Sequence, residues 1–212
     1  MTFNLIISTR EKDYLKKVKR HLQGGNPLVF PTDTVYGIGV SLQNERSLKR
    51  VIEIKEREEI KPISIMCFNL EEAEKYFEFD EILLKVAKKF LPGELTLILK
   101  RKETIPSWYY PDFQKIGLRI PSNSVALEIL KNYNEIIAVT SANKSGMEDA
   151  KDIKTAIHYF GKYSDVLFVD GGRIENGQPS AVIEIDGGEI KILRKGKISL
   201  KKILEACNEK GF

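Results

Sequence analysis

Residues 30–40 read FPTDTVYGIGV, and the reading of this stretch decides the fold. An apolar run, Leu28 to Phe30, stops at Pro31; two threonines then flank an aspartate, followed by a tyrosine and two glycines. A strand that delivers polar groups into a short, glycine-permitted loop is a common way to build a phosphate site. The lysine of a nucleotide-binding P-loop is missing, however. GxxxxGK[ST] would need a glycine at Lys191 and Ser or Thr at Ile198. In the plainer reading the stretch is a turn, with Asp33 and Thr34 capping backbone amides and Gly37 and Gly39 serving bends. Turns rarely need so many hydroxyls beside a buried strand, so a ligand loop stays in play.

Outward from this loop, apolar spacing lays out the elements. Tyr14, Val18 and Leu22 predict an early helix stopped by Gly24, Gly25 and Pro27. Ile38 to Leu42 continues the strand pattern, and Leu48, Val51, Ile52 and Lys55 recur at helical spacing after Asn44. Strands are predicted over 62–68, 95–99, 116–120, 136–140, 166–169, 181–185 and 189–193. Helices are predicted over 81–91, 124–131, 152–160 and 199–208, with an acidic one around Glu71, Glu72 and Glu74. Strands buried on both faces alternate with helices, so the class is α/β with a twisted mixed sheet. The Asp186-Gly187-Gly188 link predicts a hairpin between the last two strands.

The chain has 212 residues, 42% hydrophobic and 30% charged, the balance of a folded globular protein. No repeat or linker divides it, so residues 1–212 are expected to form one domain. Its apolar runs are strand-sized, far short of the roughly 20 residues that span a bilayer, and the N-terminus lacks the flanks of a secretory signal. Two cysteines read as reduced thiols, and the expected location is the cytoplasm. Two histidines leave little for a metal site, and no His-based triad has a supporting motif. A net charge of +4 suits an anionic substrate or RNA and demands neither.

Three further segments could carry chemistry. In IKEREEIKPIS, Lys55 continues the apolar stripe and should point inward, where a buried ammonium needs an anionic partner. If the helix ends there, Arg57 can point the same way and Lys61, before Pro62, adds a third cation. Charge content alone leaves this even with a solvated helix end countered by Glu53, Glu56, Glu58 and Glu59. In AVTSANKSG, Thr140, Ser141 and Asn143 follow a strand and can face one ligand, or cap the next helix. Arg119, Ser180 and Arg194 lie at strand ends in GLRIP, PSAVIEI and ILRKG; each arginine is structurally paired or a fork for carboxylate or phosphate. The basic, aromatic stretch RKETIPSWYYPDFQK is a candidate nucleic-acid contact or lid, with a surface loop as the alternative.

Taken in order, PTDTVYGIG, KEREEIKP, PGELTLIL, GLRIP, TSANKSG, PSAVIEI and ILRKG resemble the threonylcarbamoyl-AMP synthase family, the YrdC-like domain. The resemblance covers roughly residues 10 to 200 and implies a YrdC-like fold, a twisted mixed β-sheet flanked by helices with a concave basic cleft. It leaves no room for the second domain of the family's longer members. It implies synthesis of threonylcarbamoyl-adenylate and pyrophosphate from L-threonine, bicarbonate and ATP, with Mg²⁺ assisting. A transferase complex would then carry the group to tRNA, with room for direct tRNA contact and no membrane. The family's catalytic set matches Lys55, Arg57, Ser141 and Asn143, which favours a ligand-facing Lys55 and Arg57. Thr34, Arg119, Thr140 and Ser180 would surround L-threonine; Arg57, Lys61, Ser141, Asn143 and Arg194 would hold the nucleotide; no protein metal ligand is expected. The sequence departs from the family pattern at Glu58, Met66, Glu94 and Ala181. The rival reading is a non-catalytic module binding tRNA or double-stranded RNA, and a third is carbamoyl-adenylate transfer to another acceptor, as in hydrogenase-maturation proteins.

Overall fold

The computed structural model describes residues 5–57, 61–175 and 177–208. At its centre the three-residue strand β2 (Leu28–Phe30) turns through the Pro31–Tyr36 loop into its antiparallel partner β3 (Gly37–Ser41). Every residue of both strands is buried, as their apolar and glycine composition requires. β3 then pairs with β7 (Ile137–Ser141), Gly37 opposite Ser141 and Gly39 opposite Val139. A Cβ on Gly39 would sit 2.9 Å from the Ala138 carbonyl, so this pairing needs glycine.

Beyond β7 the sheet continues through β4 (Ser64–Met66), β6 (Lys115–Arg119), β5 (Leu95–Lys100), β9 (Ala181–Asp186) and β10 (Glu189–Arg194). On the other side β2 pairs in parallel with β8 (Leu167–Asp170), and β8 with β1 (Leu5–Ser8). The result is one ten-stranded mixed sheet. The predicted hairpin is present, with Gly187 and Gly188 both at positive φ between β9 and β10. The sequence pattern did not reveal β1: it is an edge strand of four residues, two of them exposed.

Alternate residues of β2 feed two cores. Leu28 and Phe30 pack with Val18 and Leu22 of α1 (Tyr14–Gln23) and with Ala126 and Leu130 of α5 (Ser124–Tyr133). Val29 faces the other side, where α2 (Glu45–Ile54), α4 (Glu81–Phe90), α6 (Ile153–Phe160) and α7 (Leu200–Asn208) cover the sheet. The acidic segment forms only a short turn of helix, α3 (Leu70–Ala73). Asn44, Asp80, Asn123 and Asp152 each accept a hydrogen bond from the backbone N–H three residues on, fixing four helix starts at about 1 kcal/mol each.

The coverage is uneven. α1 and α5 lie over β8, β2, β7 and β4, while the same face of β6, β5 and β9 carries no helix among the described residues. The residues pointing out of that bare face, among them Thr96, Gly117, Arg119 and Val182, line a cleft. A bulge in β10 sets Arg194 rather than Leu193 opposite Val182, and both residues turn to the cleft. No helix among the described residues is long and apolar enough to cross a membrane.

The β3–β7 contact predicts its own test. Gly39→Ala should lower stability by about 1–3 kcal/mol through overpacking, a fall of several degrees in the thermal midpoint. An unchanged midpoint would mean that β7 yields freely and that the glycine is not required.

Candidate active site

The cleft encloses about 950 Å³. Its floor is built first by the 31–36 loop. Thr32 Oγ1 accepts from the N–H groups of Thr34 and Val35 and donates at 2.6 Å to the Val35 carbonyl. Its proton and both lone pairs are thereby used, so the 3.1 Å contact between the two hydroxyls leaves the Thr34 proton uncommitted. Arg119 Nη2 donates to the same Thr34 oxygen at 2.7 Å. With one lone pair committed to Arg119, buried Thr34 can offer a ligand a donor and an acceptor, which suits an amine or a hydroxyl.

Arg119 also donates from Nη2 to Asp33 Oδ1 at 2.7 Å, and the two side chains are only 9% and 8% exposed. Asp33 therefore serves as a charge partner from 86 residues away rather than as the local cap its position suggests. Burial draws the Arg119 pKa down and Asp33 opposes the shift; a guanidinium remains charged at physiological pH regardless. Across the floor Ser180, fully buried, holds Thr96 Oγ1 at 2.8 Å and accepts from Arg194 Nη2 at 3.1 Å, while Arg194 Nε grips the Ser180 carbonyl at 3.0 Å.

The far wall is the turn after β7. Lys55, just beyond α2 and 2% exposed, donates to the carbonyls of Ser141 at 2.5 Å and Asn143 at 2.6 Å, and to Asn143 Oδ1 at 3.3 Å. The expected anionic partner is replaced by three neutral oxygens, with Asp149 acting only at longer range. Burial and the neighbouring Arg57 pull the Lys55 pKa from 10.5 to about 7. Asn143 Oδ1 also accepts from Ser141 Oγ at 2.7 Å, and its amide donates to the Met147 carbonyl at 2.6 Å. Arg57 follows Glu56, which takes a positive φ of 54°, and reaches Thr140 Oγ1 at 3.2 Å and the Lys61 carbonyl at 3.0 Å.

Of the ten residues singled out in the sequence, Thr34, Arg57, Lys61, Arg119, Thr140, Ser141, Ser180 and Arg194 line one cleft. Lys55 and Asn143 do not. Contrary to a ligand-facing Lys55, the ammonium stands behind the wall and fixes the loop that carries Ser141. Sequence reasoning missed Thr32 and Asp33 as a framework, and Lys115 and Glu184 on the cleft's outer floor, joined at 2.7 Å.

Among the described residues, five cations and two carboxylates line the cleft. Lys115 is paired with Glu184 and Asp186, and Arg119 with Asp33. Arg57, Lys61 and Arg194 have no carboxylate within ion-pair distance among those residues. No group of three His, Cys, Asp or Glu side chains could hold a metal ion among them. Of the departures from the family pattern, Met66 lines the cleft, Glu94 pairs with Lys197 at 2.6 Å, and buried Ala181 donates its N–H to the Glu94 carbonyl. Glu58, with Glu59, lies outside the described residues.

The 101–115 stretch is not the open basic surface its composition suggests. Arg101 turns inward to the carbonyls of Ile105, Pro106 and Tyr109, and Tyr109 is fully buried with its hydroxyl on the Ile63 carbonyl. Asp112, Phe113 and Gln114 finish the cleft rim.

Comparison with known proteins places this geometry in context. Residues 20–196 match the Sua5/YciO/YrdC family model, whose description is "Telomere recombination". A Methanocaldococcus jannaschii protein with a provisional threonylcarbamoyl-AMP synthase name is 34% identical over 91% of this chain and 90% of its own length. The threonylcarbamoyl-AMP synthase of Pyrococcus abyssi is 31% identical over 97% of this chain, which spans 61% of that longer protein. The crystal structure of P. abyssi Sua5 complexed with L-threonine superposes with a TM-score of 0.88 at 28% identity, covering 98% of this chain and 62% of that one.

The Lys55 tether sets a pH dependence. Because its folded pKa lies below the ordinary 10.5, the unfolded chain binds a proton there between about pH 7 and 10.5 that the folded chain does not. The group's contribution to stability is complete above that window and is lost as pH falls through about 7, with a slope of at most about 1.4 kcal/mol per pH unit. Denaturant unfolding of wild type and Lys55→Met at pH 7 and pH 9.5 should show wild type gaining stability relative to the variant at the higher pH. Parallel pH profiles would contradict the depressed pKa.

Proposed function

The chain belongs to the Sua5/YciO/YrdC family, and from that premise we propose that it is an L-threonylcarbamoyladenylate synthase, a nucleotidyltransferase. The observation that carries the reading is the division of charge within one cleft. A polar floor with a neutralised arginine, Arg119 with Asp33, adjoins three cations that have no carboxylate partner among the described residues. The first suits a zwitterionic amino acid and the second a polyphosphate. The likeness to a Sua5 structure that binds L-threonine supports the same assignment.

In this proposal Arg119 holds the threonine carboxylate, with Thr34, Thr140 and Ser180 around the amine and hydroxyl. Arg57, Lys61, Ser141 and Arg194 receive ATP, and Lys55 and Asn143 act through the loop they brace. The threonine amine, after losing a proton to water, attacks bicarbonate and expels water to give the carbamate. A carbamate oxygen then attacks the α-phosphate and expels pyrophosphate. No protein nucleophile is required; the site positions anions and offsets the charge that gathers at the phosphate. Among the described residues the cleft offers Asp112 and the already paired Glu184 as carboxylates, and Mg²⁺ fits as the companion of the triphosphate. We take residues 1–212 as one catalytic domain working in the cytoplasm, whose product passes to a transferase complex that modifies tRNA. The rival reading is a concave basic surface gripping RNA without catalysis; the likeness to threonylcarbamoyl-AMP synthases favours the enzyme.

Purified protein supplied with ATP, Mg²⁺, bicarbonate and each amino acid in turn should release pyrophosphate with threonine above all others. Arg57→Ala should keep the fold and lower that rate by about 10²–10³-fold, the usual effect of removing one preorganised charge-stabilising donor. Folded wild type that releases no threonine-dependent pyrophosphate would overturn the function. Unchanged turnover in the variant would overturn the role of Arg57.

A further inference from the structure

Two arginine–aspartate pairs in this protein, one half-buried and one buried, are built differently. Arg50 and Asp165 meet fork to fork, Nε to Oδ2 at 2.6 Å and Nη2 to Oδ1 at 2.9 Å, so both carboxylate oxygens are used. Arg119 and Asp33, buried more deeply, meet at one point only, Nη2 to Oδ1. Asp33 Oδ2 and Arg119 Nε are buried with no hydrogen-bond partner. A pair serving stability alone gains by closing both bonds, because an unpaired buried polar atom carries a desolvation cost. The second pair keeps its single bond beneath the cleft, which Arg119 lines and Asp33 does not.

We propose that Asp33 is a specificity-determining positioning residue that makes the Arg119 subsite select zwitterions and reject anions. The inference rests on the reading of the cleft as an amino-acid site. Asp33 and Thr34 take both hydrogens of Nη2 and so fix the plane of the guanidinium, leaving Nη1 for a ligand carboxylate, since Nε is buried. The Asp33 charge also cancels that of Arg119 at a distance of a few ångströms. A ligand with one negative charge then meets a dipole, whereas a ligand with an ammonium beside its carboxylate meets favourable charge on both sides. Arg57, Lys61 and Arg194 have no such neutralising partner among the described residues, so within one cleft phosphates are drawn to the rim and away from the floor.

The test compares L-threonine with 3-hydroxybutyrate, which is threonine without its amine, by calorimetric binding to wild type, Asp33→Asn and Asp33→Glu, each checked for folding by its thermal midpoint. Wild type should prefer threonine. In Asp33→Asn that preference should shrink by about tenfold or more as the bare guanidinium accepts the anion, and Asp33→Glu should restore it in part. A merely structural role for Asp33 would weaken both ligands in parallel, and an unchanged ratio would overturn the proposal. Should Asp33→Asn not fold, wild type carries the same test. Millimolar inorganic phosphate should leave threonine binding intact, and displacement of threonine would overturn the filter. Absence of threonine binding to wild type would instead strike the functional reading on which the proposal rests.

Discussion

Two helices cover one face of a ten-stranded sheet as far as its middle and stop there, and the site exists because of that half-coverage. A buried sheet face needs apolar side chains, and the covered half supplies them from Leu28, Phe30 and Val139. The bare half instead presents Thr96, Gly117, Arg119 and Val182, a surface that only a polar ligand and water can satisfy. The opposite face has no such choice, since α4 and α7 seal it beneath the same strands. The strands that floor the cleft are thus anchored from behind, which gives its polar groups a rigid base.

Two buried cations hold the walls by different means. Arg119 is balanced by a carboxylate and stays in contact with the cleft. Lys55 is balanced by carbonyl and amide oxygens and faces away from it. Three oxygens within hydrogen-bond reach call for three N–H groups, which only the protonated amine has; burial and Arg57 pull the other way. The loop bearing Ser141 is therefore held by a proton that the surroundings bind loosely.

Much of the architecture was legible in the sequence. The mixed α/β class, the glycine hairpin and the described helices other than α3 followed from periodicity and stop signals, because buried faces repeat at the period of their element; α3 was marked by its acidic residues. The polar residues of the loop after β2 could be recognised as a group because the strand ahead of it is wholly apolar. What stayed hidden shares one physical cause. Lys55 and Arg101 find their partners among backbone carbonyls, which every residue carries and no side-chain pattern marks. Asp33 looked like a cap because its true partner lies 86 residues away. β1 escaped notice because an edge strand with two exposed residues has too little pattern to read.

The central claim is that the cleft sorts its ligands by charge, zwitterion to the floor and polyphosphate to the rim. A crystal structure with L-threonine and a non-hydrolysable ATP analogue tests it most directly. The account predicts the threonine carboxylate within about 3 Å of Arg119, a hydrogen-bond distance, and the phosphates against Arg57, Lys61 and Arg194. A phosphate group seated on Arg119, or threonine bound away from the floor, would contradict it.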